Sequence, residues 1–324
     1  MNNIEHDRAP THDGVREAAH KVADILPPTP LLPLEIEGAR VWVKAECLQP
    51  VGAFKIRGAW HRLSDMSEEE RTRGVVAVSS GNHAQGVAWA AHRLGMAATI
   101  VMPQDAPPIK LSRTKSLGAE VVTYDRMTQN REEIAKGIAA EKGAVYVHAF
   151  ADPWVIEGQG SAGIEITEQL AAQGAEPVTR ILACCGGGGL SAGLALACPE
   201  AAVVPVEPEG WDDVCRSIES GEIQNVGKSP PSTACDALQT FATSPINFAV
   251  LKERCQYGLR VTEAEVREAQ RHALSQLRLV LEPGGAVALA AALAGKAKLD
   301  GTTVIILSGG NVDPRQFAQT IWQA

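Results

Sequence analysis

The sequence predicts an α/β protein with two open, mostly parallel twisted sheets that are covered by helices. Strand-like and helix-like runs alternate along the chain, which is typical of parallel strands joined by helical connections. The strand-like runs are apolar throughout, as expected for strands that are buried on both faces. The alternation restarts after "FADPW", and this restart predicts two α/β units.

We expect one unit to be inserted into the other. The small domain would span residues 73–151, and the large domain would combine residues 1–72 and 152–324. In the small domain, strands and helices alternate in the order "GVVAVSS", "NHAQGVAWAAHRLG", "AATIVMP", "PIKLSRTKSLG", "AEVVTYD", "NREEIAKGIAAEKG" and "VYVHA", beginning and ending with a strand.

The second unit begins with the strand "TRILACC", which leads into the helix "GLSAGLALAC" and the next strand, "AAVVPVE". A helix follows at "TEAEVREAQRHALSQL", where Thr262 and Glu265 have the spacing of a capping box. "TTVIILSGG" predicts a last buried strand.

Composition excludes several classes of function. The 324 residues are 45% hydrophobic and 21% charged, which is enough apolar material for a sizeable core. The net charge of -8 argues against nucleic acid or an anionic membrane as a partner. The N-terminal stretch lacks the apolar run of a signal peptide, and the 7 cysteines include no C-x-x-C pair. We therefore expect a cytoplasmic protein with reduced thiols.

Four consecutive glycines, Gly186 to Gly189, separate the strand "RILACC" from a helix. Glycine destabilises a regular element by roughly 0.5–1 kcal/mol relative to alanine, so the run indicates a special backbone requirement. One interpretation is a phosphate site, because N–H groups in a glycine-rich turn and at a helix N-terminus bind anions.

Three other interpretations of the glycines remain open at this point. A dinucleotide site is possible because Gly187, Gly189 and Ala192 fit G-x-G-x-x-A, and Glu207 has the spacing of a ribose-binding acid. A hydrolase elbow fits "GLSAG", although the only later histidine, His272, lies in a predicted helix. Tight packing between helix and strand would also require small residues.

Three further stretches carry reactive or hydrogen-bonding groups. Lys55 lies in the apolar run "VGAFKIRGAW", and burial would lower its pKa as an amine nucleophile requires. The alternative is a surface lysine whose stem covers apolar residues. In "SSGNHAQG", hydroxyl, amide and imidazole groups stand at a strand-to-helix junction, which favours a carboxylate site or a helix cap. "LSGGN" places Ser308 at a carboxyl edge of the sheet, where ligands bind or the chain turns.

An amine nucleophile, a phosphate site and a carboxylate site together suit pyridoxal phosphate and an amino-acid substrate. The sequence resembles the serine/threonine dehydratase and serine racemase family of fold type II pyridoxal-phosphate enzymes, which are similar to the tryptophan synthase β subunit. The motifs that carry the resemblance are "GAFKIRGA", "SSGNHAQG", "GGGGLSAG", "EPGGA" and "LSGGN". The resemblance extends from "TPLLPL" to "LSGGN", nearly the whole chain.

The resemblance implies a role for each matching residue. Lys55 would bind the cofactor covalently and then move the substrate α-proton, and Ser80 stands where racemases keep a second proton donor. Asn82 would hydrogen-bond the ring oxygen of the cofactor, and Ser308 would face its pyridine nitrogen. The implied cofactor-binding residues are Phe54, Lys55, Asn82, Gly186, Gly187, Gly188, Gly189, Leu190, Glu282 and Ser308. The implied substrate-binding residues are Ser79, Ser80, Asn82, His83, Arg131 and Thr240.

The implied reaction is an α,β-elimination. A neutral hydroxyl at Ser308 leaves the pyridine ring largely unprotonated, so charge on the substrate α-carbon is short-lived and a β-leaving group must depart promptly. L-threonine, L-serine or a bulkier 3-hydroxy amino acid would lose water and yield a 2-oxo acid and ammonia. A racemase on the same scaffold is the alternative. From another class, a nicotinamide-dependent oxidoreductase is favoured only by the glycine and Glu207 spacing.

The resemblance also implies a divalent cation. In metal-dependent relatives, acids matching Glu207 and Asp213, with a backbone carbonyl at the place of Trp211, hold the ion. Oxygen ligands of this kind suit Mg²⁺ or Ca²⁺. The alternative is that both acids are solvated loop residues. We further expect a homodimer.

Some positions depart from the family pattern. Val51 replaces a threonine that is frequent in relatives, and "CDALQT" replaces an Ala-Asp-Gly stretch, so substrate contacts near Asp236 and Thr240 stay open. Arg131 matches an arginine that some relatives direct at a distal carboxylate, but its helix also suits an exposed arginine.

Overall fold

The structure is a computed structural model that describes residues 8–106, 108–125 and 127–322. Residues 1–7 and 323–324 of the predicted large domain, and positions 107 and 126 of the predicted small domain, lie outside this range.

The strands belong to two separate sheets, as the interrupted alternation predicts. In chain order they are β1 (Leu31–Ile36), β2 (Ala39–Lys44), β3 (Val75–Val78), β4 (Ala98–Pro103), β5 (Glu120–Tyr124), β6 (Val145–Val147), β7 (Arg180–Cys184), β8 (Ala202–Pro208), β9 (Leu259–Val261) and β10 (Thr303–Ile306). The larger sheet has the order β1-β2-β10-β7-β8-β9 and the smaller the order β5-β4-β3-β6. Every pairing is parallel except that of β1 with β2.

Helices connect the strands and cover both sheets. In chain order they are α1 (His12–Ala23), α2 (Lys55–Ser64), α3 (Glu68–Arg73), α4 (Asn82–Arg93), α5 (Pro108–Ser116), α6 (Arg131–Lys142), α7 (Pro153–Ala172), α8 (Gly189–Ala197), α9 (Asp213–Ser220), α10 (Pro245–Arg254), α11 (Glu263–His272), α12 (Pro283–Leu293) and α13 (Pro314–Trp322). The capping box of Thr262 and Glu265 is confirmed at the start of α11. None of the helices in the described part of the chain combines the length and apolar character that a membrane crossing needs.

The two sheets use different parts of the chain. All four strands of the smaller sheet fall between residues 75 and 147, whereas the larger sheet combines residues before and after that segment. This arrangement agrees with an inserted unit, and the boundaries at 73 and 151 stay a prediction.

Small residues let the central helices of the larger unit approach closely. A Cβ atom on Gly193 of α8 would lie 2.3 Å from the carbonyl oxygen of Ile156, and one on Gly160 of α7 would lie 2.5 Å from the carbonyl oxygen of Gly193. This contact joins two helices, and Gly193 lies one turn beyond the four-glycine loop, so it does not test the packing interpretation of that loop. This contact fixes α8, and with it the start of the helix, against the core.

Candidate active site

The turn before Lys55 is joined to the loop after β10 by backbone hydrogen bonds. The N–H of Phe54 donates to the carbonyl oxygen of Ser308 at 3.1 Å, and the N–H of Gly310 donates to that of Gly52 at 2.8 Å. Lys55 is the first residue of α2 and thus follows directly from this pairing. Two motifs far apart in sequence therefore form one rigid wall of the site.

The Lys55 amine lies in an environment that disfavours its charge. Its Nζ donates to the carbonyl oxygen of Ala149 at 2.7 Å and lies 5.1 Å from the centre of the Phe54 ring. Burial lowers the pKa of Lys55 to about 8, and no carboxylate is among the groups that act on this pKa. The lowered pKa expected from the apolar sequence context is confirmed. A larger neutral fraction makes the amine a better nucleophile near neutral pH.

A buried ion network anchors the first turn of α2. The Arg57 guanidinium donates to both carboxylate oxygens of Glu46, at 2.7 and 2.8 Å, and to both of Glu165, at 2.6 and 2.8 Å. Burial opposes the charge on Glu46, but the guanidinium and its hydrogen bonds lower the pKa of Glu46 to about 2. Because Arg57 follows Lys55 by two positions, these bonds restrict where the lysine can lie.

The glycine loop connects β7 to the N-terminus of α8. The carbonyl oxygen of Gly187 accepts hydrogen bonds from Thr243 Oγ1 at 3.0 Å and from Asn247 Nδ2. Because a trans peptide is planar, the N–H of Gly188 points away from these two side chains. Gly188 also has φ +87°, a conformation that favours glycine. Such a turn at a helix N-terminus suits an anion.

Space around the loop is too small for side chains. A Cβ atom on Gly187 would lie 2.4 Å from the Phe150 ring, and one on Gly186 would lie 3.2 Å from Thr240 Oγ1. Thr240, a predicted substrate-binding residue, therefore contacts the glycine loop. Leu190 is buried in the first turn of α8. The loop fits the phosphate of the expected cofactor, whose ring would extend toward Lys55.

Asn82, the first residue of α4, is held by two side chains. Its Nδ2 donates to Glu282 Oε1, and its Oδ1 accepts from Asn311 Nδ2 at 2.8 Å. Glu282 is the N-cap of α12, and burial together with the nearby Asp236 raises its pKa to about 7. Glu282 Oε2 is buried and has no hydrogen-bond partner among the described residues. A polar ligand group beside Asn82 would meet this unpaired oxygen.

The "SSGNH" turn leaves backbone donors free at the start of α4. The first hydrogen bond of the helix runs from the N–H of Gln85 to the carbonyl oxygen of Gly81 at 3.3 Å, so the preceding N–H groups point out of the helix. Ser79 Oγ accepts from the N–H of Gly81 at 3.1 Å, which closes the turn. Gly86, one turn further on, packs against the Lys55 backbone, 3.1 Å from the position of a Cβ atom. A carboxylate at this helix end would lie near the lysine.

The imidazole of His83 is held in its neutral form. Its Nε2 lies 3.2 Å from the carbonyl oxygen of Val147 and must donate to it, because a carbonyl only accepts. Burial and the Lys55 charge lower the pKa of His83 to about 3, so the ring is neutral. What His83 can offer a carboxylate is its backbone N–H rather than an imidazolium.

Ser308 lies beside a thiol at the end of the larger sheet. It is 5% exposed, its N–H donates to the carbonyl oxygen of Gly285 at 3.3 Å, and the Cys184 thiol donates to the same carbonyl at 3.7 Å. Both neighbours are neutral, because burial raises the pKa of Cys184. A pyridine nitrogen facing Ser308 would therefore meet a neutral hydroxyl.

A cavity of about 850 Å³ opens between the two sheets beside these groups. Ser80, Glu282 and the exposed Arg131 line it, whereas Lys55 and the glycine loop do not. Lys110 of α5 forms an ion pair with Asp236 across the cleft. The cavity therefore extends outward from the predicted substrate side of the site and carries charges of both signs.

Glu207 and Asp213 lie inside the protein, and both are 0% exposed. Glu207 accepts from the N–H groups of Val214 at 3.2 Å and Cys215 at 2.7 Å, whereas neither oxygen of Asp213 has a partner among the described residues. Burial and their mutual repulsion raise the pKa of Glu207, and burial raises that of Asp213 to about 7. The interpretation as solvated loop acids is wrong, and Glu207 is too enclosed to bind a ribose.

The acid pair fits a divalent cation, because a buried carboxyl with two unpaired oxygens, Asp213, beside a second buried carboxyl suits a hard cation. The described residues contain no group of three or more His, Cys, Asp or Glu that could hold a metal. The other ligands would then be waters and the expected carbonyl of Trp211, whose indole Nε1 donates to the carbonyl oxygen of Pro231 at 2.8 Å.

Sequence reasoning missed several polar residues of the site. Asn311 belongs to the quoted "LSGGN" motif, and its place at a carboxyl edge was a usable signal. Lys110 had no distinguishing pattern. Thr243 and Asn247 orient the glycine loop from a segment that carries no motif.

Comparison with known proteins agrees with this geometry. Residues 22–309 match the family described as pyridoxal-phosphate dependent enzymes. The chain is 37% identical to the L-threo-3-hydroxyaspartate ammonia-lyase of Saccharomyces cerevisiae over 96% of each chain. It is also 37% identical to the serine racemase of Schizosaccharomyces pombe, over 97% of this chain and 98% of that protein.

A solved structure shares the fold and much of the sequence. The threonine deaminase of T.th. superimposes with a TM-score of 0.86 at 41% identity, covering 94% of this chain and 99% of that one. The predicted fold type is thereby confirmed. The matched segment runs from the end of α1 into the loop after β10, and it includes every motif on which the site is built except the last two residues of "LSGGN". The chain belongs to the family of pyridoxal-phosphate dependent enzymes.

Proposed function

We propose that this protein is a pyridoxal-phosphate dependent ammonia-lyase that converts a β-hydroxy amino acid to a 2-oxo acid and ammonia. The observation that carries the proposal is the Lys55 amine, which has a lowered pKa and lies at the start of a helix packed against α4. Relatives named as ammonia-lyases for threonine and for 3-hydroxyaspartate support the same reaction class.

The residues divide the work of binding. The N–H groups of the loop from Gly186 to Gly189 and of the first turn of α8 would hold the cofactor phosphate. Phe54 would contact the ring, and Asn82 and Ser308 would hydrogen-bond its polar edges. When bound, the cofactor supplies an electron sink for charge that develops on the substrate α-carbon.

Substrate would be oriented by its carboxylate. The free N–H groups at the start of α4, together with the hydroxyls of Ser79 and Ser80, form a donor set for two oxygens. With the carboxylate held there, the Lys55 Nζ can take the α-proton, because its neutral form is accessible near pH 8. The β-hydroxyl leaves with a proton as water, and hydrolysis of the resulting enamine releases ammonia.

The substrate side chain would extend into the cavity. Arg131 places an exposed guanidinium on its wall, which suits a side-chain carboxylate such as that of 3-hydroxyaspartate. The Lys110–Asp236 pair narrows the cavity from the opposite side. We therefore propose an acidic 3-hydroxy amino acid as a substrate alongside serine and threonine.

A racemase is the second candidate, and the position of Ser80 favours it. Ser80 lines the cavity, and in a racemase its hydroxyl would return a proton to the substrate α-carbon from the side away from Lys55. Serine racemases of similar sequence support this alternative. The nicotinamide alternative loses its main argument, because Glu207 binds backbone N–H groups inside the protein.

One assay separates these activities. Purified holoenzyme is supplied with serine, threonine, 3-hydroxyaspartate and phenylserine in each stereochemistry, and keto-acid release and enantiomer composition are measured. Keto acid from one stereochemical series, with Lys55→Ala inactive, supports the lyase. Enantiomer exchange without keto acid would establish the racemase, and activity that persists in Lys55→Ala would refute the proposed lysine role.

Three further assignments belong to this proposal. A divalent cation, Mg²⁺ or Ca²⁺, would bind Glu207 and Asp213, with Trp211 contributing its carbonyl oxygen. The protein would be a homodimer, which light scattering of the purified protein tests. A cytoplasmic location would be tested by cell fractionation.

A further inference from the structure

The side chain of Asn311 is the meeting point of three segments. Its Nδ2 donates to the carbonyl oxygen of Val51 at 2.7 Å and to Asn82 Oδ1 at 2.8 Å. Its Oδ1 accepts from Arg113 Nη1 at 2.9 Å. Asn311 is 8% exposed, so both N–H bonds and one oxygen acceptor position are used inside the protein. One amide therefore links the lysine turn, the start of α4 and helix α5.

Arg113, which can only donate, and the carbonyl of Val51, which can only accept, fix the orientation of the Asn311 amide and through it that of Asn82. Arg113 can only donate, so it requires the oxygen of the Asn311 amide. An ionised Glu282 can only accept, so it requires the nitrogen of the Asn82 amide. Between them, the Asn311 nitrogen meets the Asn82 oxygen. Turning either amide around would place like groups opposite each other.

The fixed orientation leaves one donor free. Asn82 Nδ2 has two N–H bonds, and one donates to Glu282. No described residue accepts the other. This is the donor that the proposed role of Asn82 requires for the ring oxygen of the cofactor.

Asn311 also sets the distance between the lysine turn and Asn82. The carbonyl oxygen of Val51 and the side-chain oxygen of Asn82 both accept from Asn311 Nδ2, so this one nitrogen holds the two acceptors close together. Gly52 makes room for this contact, since a Cβ atom there would lie 2.5 Å from Asn311 Oδ1. The proposed roles require Lys55 and Asn82 to reach the same cofactor, so this distance determines whether both can do so.

We propose that Asn311 is a positioning residue that orients the Asn82 amide toward the cofactor and fixes the lysine turn against α4. The proposal rests on the role of Asn82 given under the proposed function. The orientation is imposed by a chain of hydrogen bonds in which Arg113 donates to Asn311, Asn311 donates to Asn82, and Asn82 donates to Glu282.

The test compares three substitutions with the wild type. Asn311→Asp keeps size and the contact with Arg113 but cannot donate to Val51 or Asn82. Asn82→Leu removes the proposed cofactor donor itself. Asn225→Asp is the matched control, because it adds the same charge at an exposed asparagine whose oxygen accepts from the N–H of Gly227 at 2.8 Å.

Three quantities are measured for each protein: the dissociation constant of pyridoxal phosphate from the apoprotein, the position of the visible band of the bound cofactor, and the melting temperature of the apoprotein. In Asn311→Asp we expect affinity for the cofactor to fall about three- to tenfold, as for loss of a buried hydrogen bond. We expect its visible band to shift in the same direction as in Asn82→Leu. Asn225→Asp should match the wild type in all three.

Two results would overturn different steps. Wild-type affinity and band position in Asn311→Asp, with both altered in Asn82→Leu, would refute the positioning role and leave the proposed function intact. Wild-type values in Asn82→Leu would refute the role of Asn82 itself. If Asn311→Asp does not fold, Arg113→Met replaces it, for which we expect a smaller change in the same direction, and no change would refute the polarity of the chain.

Discussion

Replacing Lys55 by methionine should stabilise the apoprotein at neutral pH. The substitution keeps a long unbranched side chain and removes an amine whose charged form is destabilised by burial. The pKa of Lys55 falls from its ordinary value of 10.5 to about 8 because the amine is buried. Below pH 8 the folded protein therefore carries a buried charge that the unfolded chain keeps in water.

The size of the effect follows from the pKa difference. Each pKa unit corresponds to about 1.4 kcal/mol, so the charge destabilises the fold by about 3 kcal/mol. The lost hydrogen bond to the carbonyl of Ala149 offsets about 1 kcal/mol of the gain. We expect Lys55→Met to be about 2 kcal/mol more stable than the wild type at pH 7.

The pH dependence gives the sharper test. Between pH 8 and 10.5 the unfolded chain binds one more proton at this site than the folded protein, so the wild type gains stability as pH rises. The advantage of Lys55→Met should be full below pH 8 and absent above pH 10.5. Urea unfolding of both apoproteins at several pH values measures it. If the difference in the free energy of unfolding between Lys55→Met and the wild type does not change between pH 7 and 10, the lowered pKa of Lys55 is refuted.

Three other substitutions test separate parts of the site. Asp213→Asn should stabilise the metal-free protein at pH 8, because a carboxyl whose folded pKa is about 7 makes the wild type lose stability as pH rises from 3.8 to 7. The substitution should also abolish any rise in melting temperature when Ca²⁺ or Mg²⁺ is added. A rise equal to that of the wild type would contradict the cation site. Gly187→Ala should destabilise the protein by about 1–3 kcal/mol, because the new methyl group clashes with Phe150, and it should weaken cofactor binding. The control Gly137→Ala lies in α6 with open space around it and should stabilise the protein by about 0.5–1 kcal/mol in urea unfolding. Equal effects of the two substitutions would contradict the crowding at the glycine loop. Lys110→Met should raise the pKa of Glu282 further, because the Lys110 cation lowers this pKa and so opposes the effect of burial. If the ionised form of Glu282 supports the reaction, the acid limb of the kcat/KM profile should move to higher pH. An unchanged pH profile would count against such a role of Glu282.

Local pattern was enough to predict the elements and to single out Lys55 as a lysine with a lowered pKa. The apolar runs identified the parallel strands, because a strand buried on both faces has little choice of residue. The glycine run located the loop after β7, since small residues are needed where Phe150 and Thr240 press on it. The apolar neighbours of Lys55 predicted its lowered pKa.

Contacts between distant segments could not be predicted in the same way. Nothing near Asn82 in sequence indicates that Glu282 accepts from it across 200 positions. The acids Glu207 and Asp213 read equally well as solvated residues, because burial depends on what packs over them and not on their own neighbours. The neutral state of His83 depends on burial and on the charge of Lys55, and both come from segments that pack around it and not from its own neighbours in sequence.

The bond between Val51 and Asn311 joins residues 260 positions apart, and this separation has a consequence for folding. During synthesis the lysine turn emerges long before β10, which fills the place between β2 and β7 in the larger sheet. Until then β2 has an unpaired edge that is open to wrong partners. A chain cut before Thr303 would keep Lys55, the "SSGNH" turn and the four glycines, yet the wall that aligns them would be missing. Binding of the cofactor by the nascent protein therefore reports that the whole chain has been made and closed, and not merely that the binding residues are present.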